Sequence, residues 1–258
     1  MEGPAPRPMT SFWLWIQPLA RAAPWVVLVF AAVVFPLLLV VTAPYGRHFR
    51  AGWGPAMGSK AGWMAMEWPS FFLFGLVWIA NPEFGAPMVL ALGTLWLVHY
   101  GQRTFVFSLL LRGSGRRQAV LTVVLANVFN VLNATGNAAA LTARPFDLAF
   151  VAGVALFAVG FALNVHSDHV LRSLRAPGET GYRIPFGGGF TWVSAPNYLG
   201  EIVEWIGFAV AAHTLAAWAF AAFTFANLAP RALSNHRWYR QRFPDYPPDR
   251  RALFPFLW

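Results

Sequence analysis

The chain has 258 residues, of which 57% are hydrophobic and 11% charged, well below the roughly 25% charge of a soluble domain. It carries a net charge of +9 and no cysteine, which excludes disulfides, thiolate catalysis and Cys-based metal sites. The arginines are spread over short connections between apolar runs rather than gathered on one face with stacking aromatics. That distribution argues against a nucleic-acid partner and for charge that orients a protein in a bilayer.

A spanning helix needs about 20 mostly apolar residues. The first apolar run, Pro24 to Val41, lacks a small-residue cleavage site and is longer than a signal core, so it reads as a retained helix. Before it, Ser11 to Leu19 reads as an interfacial lead-in, with Trp13 and Trp15 suited to the headgroup belt. The spans expected are 24–43, which is this first run, then 61–80, 86–112, 117–134 and 146–167. A last run from 195 to 233, about 39 residues, is too long for one span and fits two with a turn near His213.

Charge sets the orientation. With seven spans, sixteen Lys and Arg fall on one side, from Arg47, Arg50 and Lys60, through Arg103, Arg112, Arg116 and Arg117, to the basic tail. Only Arg7, Arg21 and Arg144 fall on the other. The expected fold is therefore an all-α, multi-pass membrane helical bundle of about seven transmembrane helices, N-terminus outside and C-terminus cytoplasmic. It reads as a single integral membrane domain. Residues 24–134 form the first four helices, and 146–258 the last three with the cytoplasmic loops and tail. The tail Phe243-Pro-Asp-Tyr-Pro-Pro is turn-rich and expected to fold over the cytoplasmic face.

Ionisable groups inside spans are functional candidates by default. Glu67 lies in 61–80, and His99, Tyr100, Gln102 and Arg103 lie in 86–112. Asn164, Asp168, Arg172 and Arg175 fall at i, i+4, i+8 and i+11, one face of a helix. Asn197, Glu201 and Glu204 fall at i, i+4 and i+7, again one face. Between the two faces runs the loop Gly178-Glu-Thr-Gly-Tyr-Arg-Ile-Pro-Phe-Gly-Gly-Gly. Ser194 or Asn197 can cap the following helix, with Pro196 in its first turn. A capped helix start beside Arg172, Arg175 and Arg183 can receive phosphate. Pairing of acids with arginines merely to hold the bundle is the plainer alternative. The triple glycine follows no strand and by itself is a turn. Composition and spacing thus reach a helical bundle with a polar, cationic cavity open to the cytoplasm.

Several strings resemble the steroid 5α-reductase (3-oxo-5α-steroid 4-dehydrogenase) family. They are Glu67-Trp-Pro-Ser, His99-Tyr-Gly-Gln-Arg-Thr-Phe, Asn164-Val-His-Ser-Asp, Gly181-Tyr-Arg-Ile-Pro, Asn197-Tyr-Leu-Gly-Glu-Ile-Val-Glu-Trp and Arg231-Ala-Leu-Ser-Asn-His-Arg-Trp-Tyr. The resemblance covers roughly residues 61 to 258. It implies an NADPH-dependent reductase of 3-oxo-Δ4 steroids, with steroid among the first four helices and cofactor against the cytoplasmic half. Carried over, Glu67 and Tyr100 are catalytic and hold the substrate's C3 carbonyl. Asn164, Asp168, Arg172, Arg175, Tyr182, Arg183, Asn197, Glu201, Arg231 and Tyr239 line the cofactor site, and no metal site is implied. The family's Gln-Glu pair reads Met66-Glu67 here, its Pro-Gln-Gly-Gly reads Pro185-Phe-Gly-Gly, and a histidine of its C-terminal cluster reads Asn235.

The chemistry agrees with those residue types. As hydride adds to C5 of a conjugated enone, negative charge develops on the C3 oxygen, and a proton donor aimed there stabilises it. A steroid or other lipid-soluble enone, with membrane lipid around it, suffices as partner. No nucleic acid and no obligate protein partner is expected. Composition suggests a bacterial inner membrane, or the endoplasmic reticulum in a eukaryote. Rival readings are a sterol or trans-enoyl-thioester reductase, an isoprenylcysteine carboxyl methyltransferase-like enzyme, and, more distantly, a small-solute transporter.

Overall fold

The computed structural model describes residues 9–44, 46–50, 52–112, 117–176, 179 and 181–258. Arg7, Arg116, Gly178 and Thr180 lie outside the described residues. The described chain is mostly helical: α1 Ser11–Val40, α2 Ser59–Trp68, α3 Phe74–Ala80, α4 Pro87–Gly101, α5 Ser108–Leu110, α6 Val120–Ala139, α7 Leu148–Ser173, α8 Pro196–Ala212 and α9 Leu215–Arg242. A short antiparallel ladder pairs β1 (Ala56–Gly58) with β2 (Arg117–Ala119). This is a small departure from an all-helical reading, and it shortens the span expected from residue 117. Four helical segments among the described residues are long and apolar enough to cross a membrane: Ser11–Val40, Ser59–Ala80, Val120–Ala139 and Leu148–Ser173.

The first helix corrects one expectation. Ser11–Leu19 is not a separate lead-in; it is continuous with the following run, and Thr10 caps it by accepting from the Trp13 amide at 3.1 Å. Pro18, Pro24 and Pro36 all lie inside this helix. The turn expected near His213 is present: His213 takes a left-handed conformation (φ 54°) and ends α8, and Thr214 caps α9 through the Ala217 amide.

Two π-helical turns interrupt the helices that carry the catalytic candidates. Pro69–Leu73 joins α2 to α3 just beyond Glu67, and Gln102–Phe107 joins α4 to α5 just beyond Tyr100. The first has a local cause. Pro69 has no N–H to give to the carbonyl four residues back, so the helix opens there. The Ala65 and Met66 carbonyls are taken instead by the side-chain amides of Asn127 and Asn130, at 2.8 and 2.6 Å. The opened turn is thereby fastened to α6, as a dry bilayer requires of every backbone group.

Apolar packing centres on an aromatic block. Trp96 stacks on Phe74 at 4.5 Å and meets Trp205, Phe208 and Phe220. The longest helix–helix contact joins α7 to α8. Glycines make it possible: a Cβ on Gly153, Gly160, Gly200 or Gly207 would run into the partner helix's backbone. The tail returns to the start of α8, where Val193 and Arg251 form a parallel bridge. There Ser194 bonds His236, Tyr246 and the Arg251 carbonyl at 2.6, 2.6 and 3.0 Å.

Candidate active site

A cavity of about 290 Å³ opens where α2, the π-helical turn after α4, α7, α8 and α9 converge with the loop after α1. Its wall includes eight residues singled out from the sequence: Glu67, Asp168, Arg172, Arg175, Tyr182, Asn197, Glu201 and Arg231. The two predicted polar helix faces therefore do meet. Their meeting point is Asp168. Its Oδ2 accepts from Arg103 Nη1 at 3.1 Å and its Oδ1 from the Asn197 side-chain amide at 3.0 Å. Asn164, one turn earlier on α7, donates to the Asn197 carbonyl at 2.9 Å and reaches Glu201 Oε2 at 3.3 Å. This lattice fixes three α8 groups against α7, beginning at Asn164, whose backbone also packs on Gly200.

The expected cap of α8 takes another form. Ala195 is the cap residue and no side chain bonds the exposed amides; Pro196 does occupy the first turn. Ser194 is committed to the tail and Asn197 to Asp168. Both polar side chains found stronger tertiary partners than the local amides. The helix face also divides. Asn197 and Glu201 reach the cavity, whereas Glu204 is fully buried and bonds His99 Nδ1 at 2.7 Å.

Four predicted site residues lie off the cavity wall. Asn164 stands behind Asn197. Tyr100 is 4% exposed and sits in the aromatic block beside Trp96 and Trp205, within electrostatic reach of Glu67. Arg183 points outward and pairs with Glu179 at 2.6 Å. Glu179 accepts from the Ala176 amide, which with Arg183 holds its carboxyl below the usual range. Tyr239 is buried, stacked on Tyr246 at 5.2 Å, with the Arg47 guanidinium 4.5 Å above its ring.

Several wall residues escaped the sequence reading. Arg103 was noted as an ionisable group in a span but left out of the site. It is 8% exposed, bridges to Asp168 and packs over the Phe107 and Trp63 rings at 4.3 and 5.1 Å. Arg47, from the loop after α1, lies over Tyr182, Trp238 and Tyr239, and its Nη1 is buried without a hydrogen-bond partner among the described residues. Tyr198 receives a bond from Arg231 Nη2 at 3.1 Å. At position 235, where the family pattern has histidine, Asn235 bonds His48 at 3.0 Å, so an imidazole reaches that corner from the opposite side. Burial holds His48 below its ordinary value against the Asn235 bond, and Arg47 and Arg50 push the same way as burial. A usable signal existed only for Arg103, three residues beyond Tyr100 in the π-helical turn that continues α4.

A family model described as 3-oxo-5-alpha-steroid 4-dehydrogenase matches residues 116–258. The chain is 41% identical over 239 residues to 3-oxo-5-alpha-steroid 4-dehydrogenase 1 of Bos taurus, covering 87% of this chain and 91% of the relative. It is 41% identical over 238 residues to 3-oxo-5-alpha-steroid 4-dehydrogenase 2 of Homo sapiens, covering 86% and 91%. Steroid 5-alpha-reductase DET2 of Solanum lycopersicum is 38% identical over 243 residues, covering 90% and 94%.

Proposed function

Because the chain belongs to the 3-oxo-5α-steroid 4-dehydrogenase family, oxidoreductases acting on CH–CH bonds, we propose that it reduces the Δ4 bond of a 3-oxo-Δ4 steroid with NADPH. The observation that carries this reading is the cavity itself. One wall joins arginines able to grip phosphates to an amide–carboxylate pair able to hold a carboxamide, with Glu67 lining the same space.

The residues present fit NADPH. Arg47, Arg172, Arg175 and Arg231 line the cavity, and guanidinium–phosphate bonds are charge-assisted and often bidentate. The buried Nη1 of Arg47, on the cavity wall, has no hydrogen-bond partner among the described residues, as expected of a group awaiting a ligand. Asn197 and Glu201 hold the nicotinamide carboxamide in this reading, and Asn164 and Asp168 keep both in place. Tyr182 and the Tyr239-supported Arg47 close the phosphate end, with Arg183 adding positive charge at the mouth. When bound, NADPH supplies the hydride that adds to C5. Tyr100 gives its proton to the C3 oxygen as charge develops there, and Glu67 polarises that phenol. The surrounding aromatic block keeps water from the donor.

The same reading assigns seven spans, the N-terminus outside and the arginine-rich ends of α7 and α9 in the cytoplasm. Residues 24–134 face the steroid and 146–258 the cofactor, although Arg47, Trp63 and Arg103 carry the first part into the cofactor cavity. The direct test incubates the protein in membranes with NADPH and testosterone or progesterone, followed by chromatography of the steroids. A 5α-dihydro product is expected, with NADH far less effective. Unchanged steroid despite bound NADPH would overturn the assignment of the substrate.

A further inference from the structure

Two of the most deeply buried ionisable side chains take no part in the cavity. His99 on α4 is 2% exposed and Glu204 on α8 is 0% exposed, and their Nδ1 and Oε1 atoms are 2.7 Å apart. Both are remote from water in helices that pack at the heart of the bundle. Such a pair is expensive to bury, and apolar groups of the same shape are often as stabilising or more so. Stability alone therefore gives little reason for it, and intramembrane ionisable groups mark function by default.

Its neighbours show what it can act on. His99 precedes Tyr100 in the chain, and its ring meets the phenol edge-on, 4.9 Å between centroids and 75° between planes. Trp205, next to Glu204, meets His99 at 4.7 Å and Tyr100 at 5.7 Å. Trp96 packs on Tyr100 at 5.0 Å and is itself anchored by its Nε1 bond to the Ser70 carbonyl at 2.8 Å, while the Ser70 side chain meets the Tyr100 hydroxyl. Aromatic contacts of this kind are weak and leave rings free to slide. A short hydrogen bond in a dry interior does not leave that freedom. The bond also links two helices with different tasks. One turn beyond His99, the π-helical turn that continues α4 sends Arg103 into the cavity, and one turn before Glu204, α8 presents Glu201 to it.

The geometry points to His99 and Glu204 as positioning residues that set the depth and angle of the Tyr100 hydroxyl relative to the wall formed by Asn197 and Glu201. The inference rests on the reading of Tyr100 as proton donor. Neither residue touches a reacting atom; both act through Tyr100. Since misplacement by about 1 Å can reduce a rate by about 10²-fold, loss of the tether should show in turnover before it shows in ligand binding.

The experiment uses the full chain in lipid nanodiscs, with NADPH and progesterone as probes. The variants are Glu204→Leu, His99→Phe, the double variant, Glu204→Gln and Tyr100→Phe, alone and combined with Glu204→Leu. Turnover is measured beside NADPH affinity and apo melting temperature. Glu204→Leu and His99→Phe should each slow turnover by about tenfold to 10²-fold, with NADPH affinity unchanged within about twofold. The double variant should be no slower than the slower single one. Glu204→Gln retains an acceptor for His99 and should recover most of the rate. In the Tyr100→Phe background, Glu204→Leu should add no further loss. An additive loss there, or wild-type turnover in Glu204→Leu, overturns the positioning role while leaving the donor reading intact. Wild-type turnover in Tyr100→Phe overturns the donor reading itself. Should Glu204→Leu fail to fold, His99→Phe keeps a ring in place and carries the same comparison.

Discussion

The α7–α8 pair solves one problem in two ways along its length. At Gly153, Gly160, Gly200 and Gly207 the backbones touch, and no side chain fits between them. At Asn164 the two modes overlap, since its backbone lies against Gly200 while its side chain reaches Asn197 and Glu201; one turn on, at Asp168, the helices are joined by side chains, with Asp168 accepting from Asn197. In lipid there is no hydrophobic drive to bring helices together, so close packing of small residues must do it. The glycine end supplies that grip. The polar end then tolerates a cavity, because its groups need satisfying and not filling.

The comparison can be broken at either end. The largest effect is expected at the polar end, from Arg103→Met. It leaves Asp168 buried without its cation and should destabilise the apo protein by about 3–5 kcal/mol, read as a loss of thermal stability in nanodiscs. Gly160→Ala attacks the other end. A methyl there meets the Gly200 and Glu204 backbone, and overpacking of this kind costs about 1–3 kcal/mol. NADPH-induced stabilisation per bound ligand should survive in the molecules that fold. If Gly160→Ala is neutral, the glycine end is not the grip.

Glu201→Gln sharpens the contrast further. Its hydrogen bond from Asn164 is long at 3.3 Å, so the apo melting temperature should barely move. NADPH affinity should fall about tenfold, or about 1.4 kcal/mol; a large apo shift with intact NADPH stabilisation would make Glu201 scaffold. The smallest effect concerns His48. Its folded pKa is lowered by burial, so the unfolded chain binds more protons between that value and the ordinary value of about 6.5. Stability therefore falls as pH drops through this window. His48→Gln should flatten that slope, as measured by melting temperature between pH 8 and pH 5.

Much of this was legible in the chain. The polar residues at helical spacing on α7 and α8, the turn at His213 and the Glu67-Trp-Pro-Ser string all register as local pattern, because helix geometry converts spacing into faces. Arg47 and His48 did not register. They sit in a loop after α1 and acquire meaning only from Tyr182, Trp238, Tyr239 and Asn235, more than a hundred residues away. Ser194 and Asn197 misled for a related reason: as isolated residues they suit a helix cap, and only the arrival of the tail and of Asp168 outbids the local amides.

By itself the sequence determined the membrane as solvent, the places where helices run and the two polar faces, since each follows from composition or from periodicity along one element; the family came from the resemblance of its motif strings. Tertiary structure alone decided which way each polar side chain turned. Asn197, Glu201 and Glu204 share one helical face, yet the first two meet the cavity and the third meets His99. Spacing fixes angles around a helix axis but not the neighbour waiting at each depth, and in a bundle that neighbour is set by how distant helices cross.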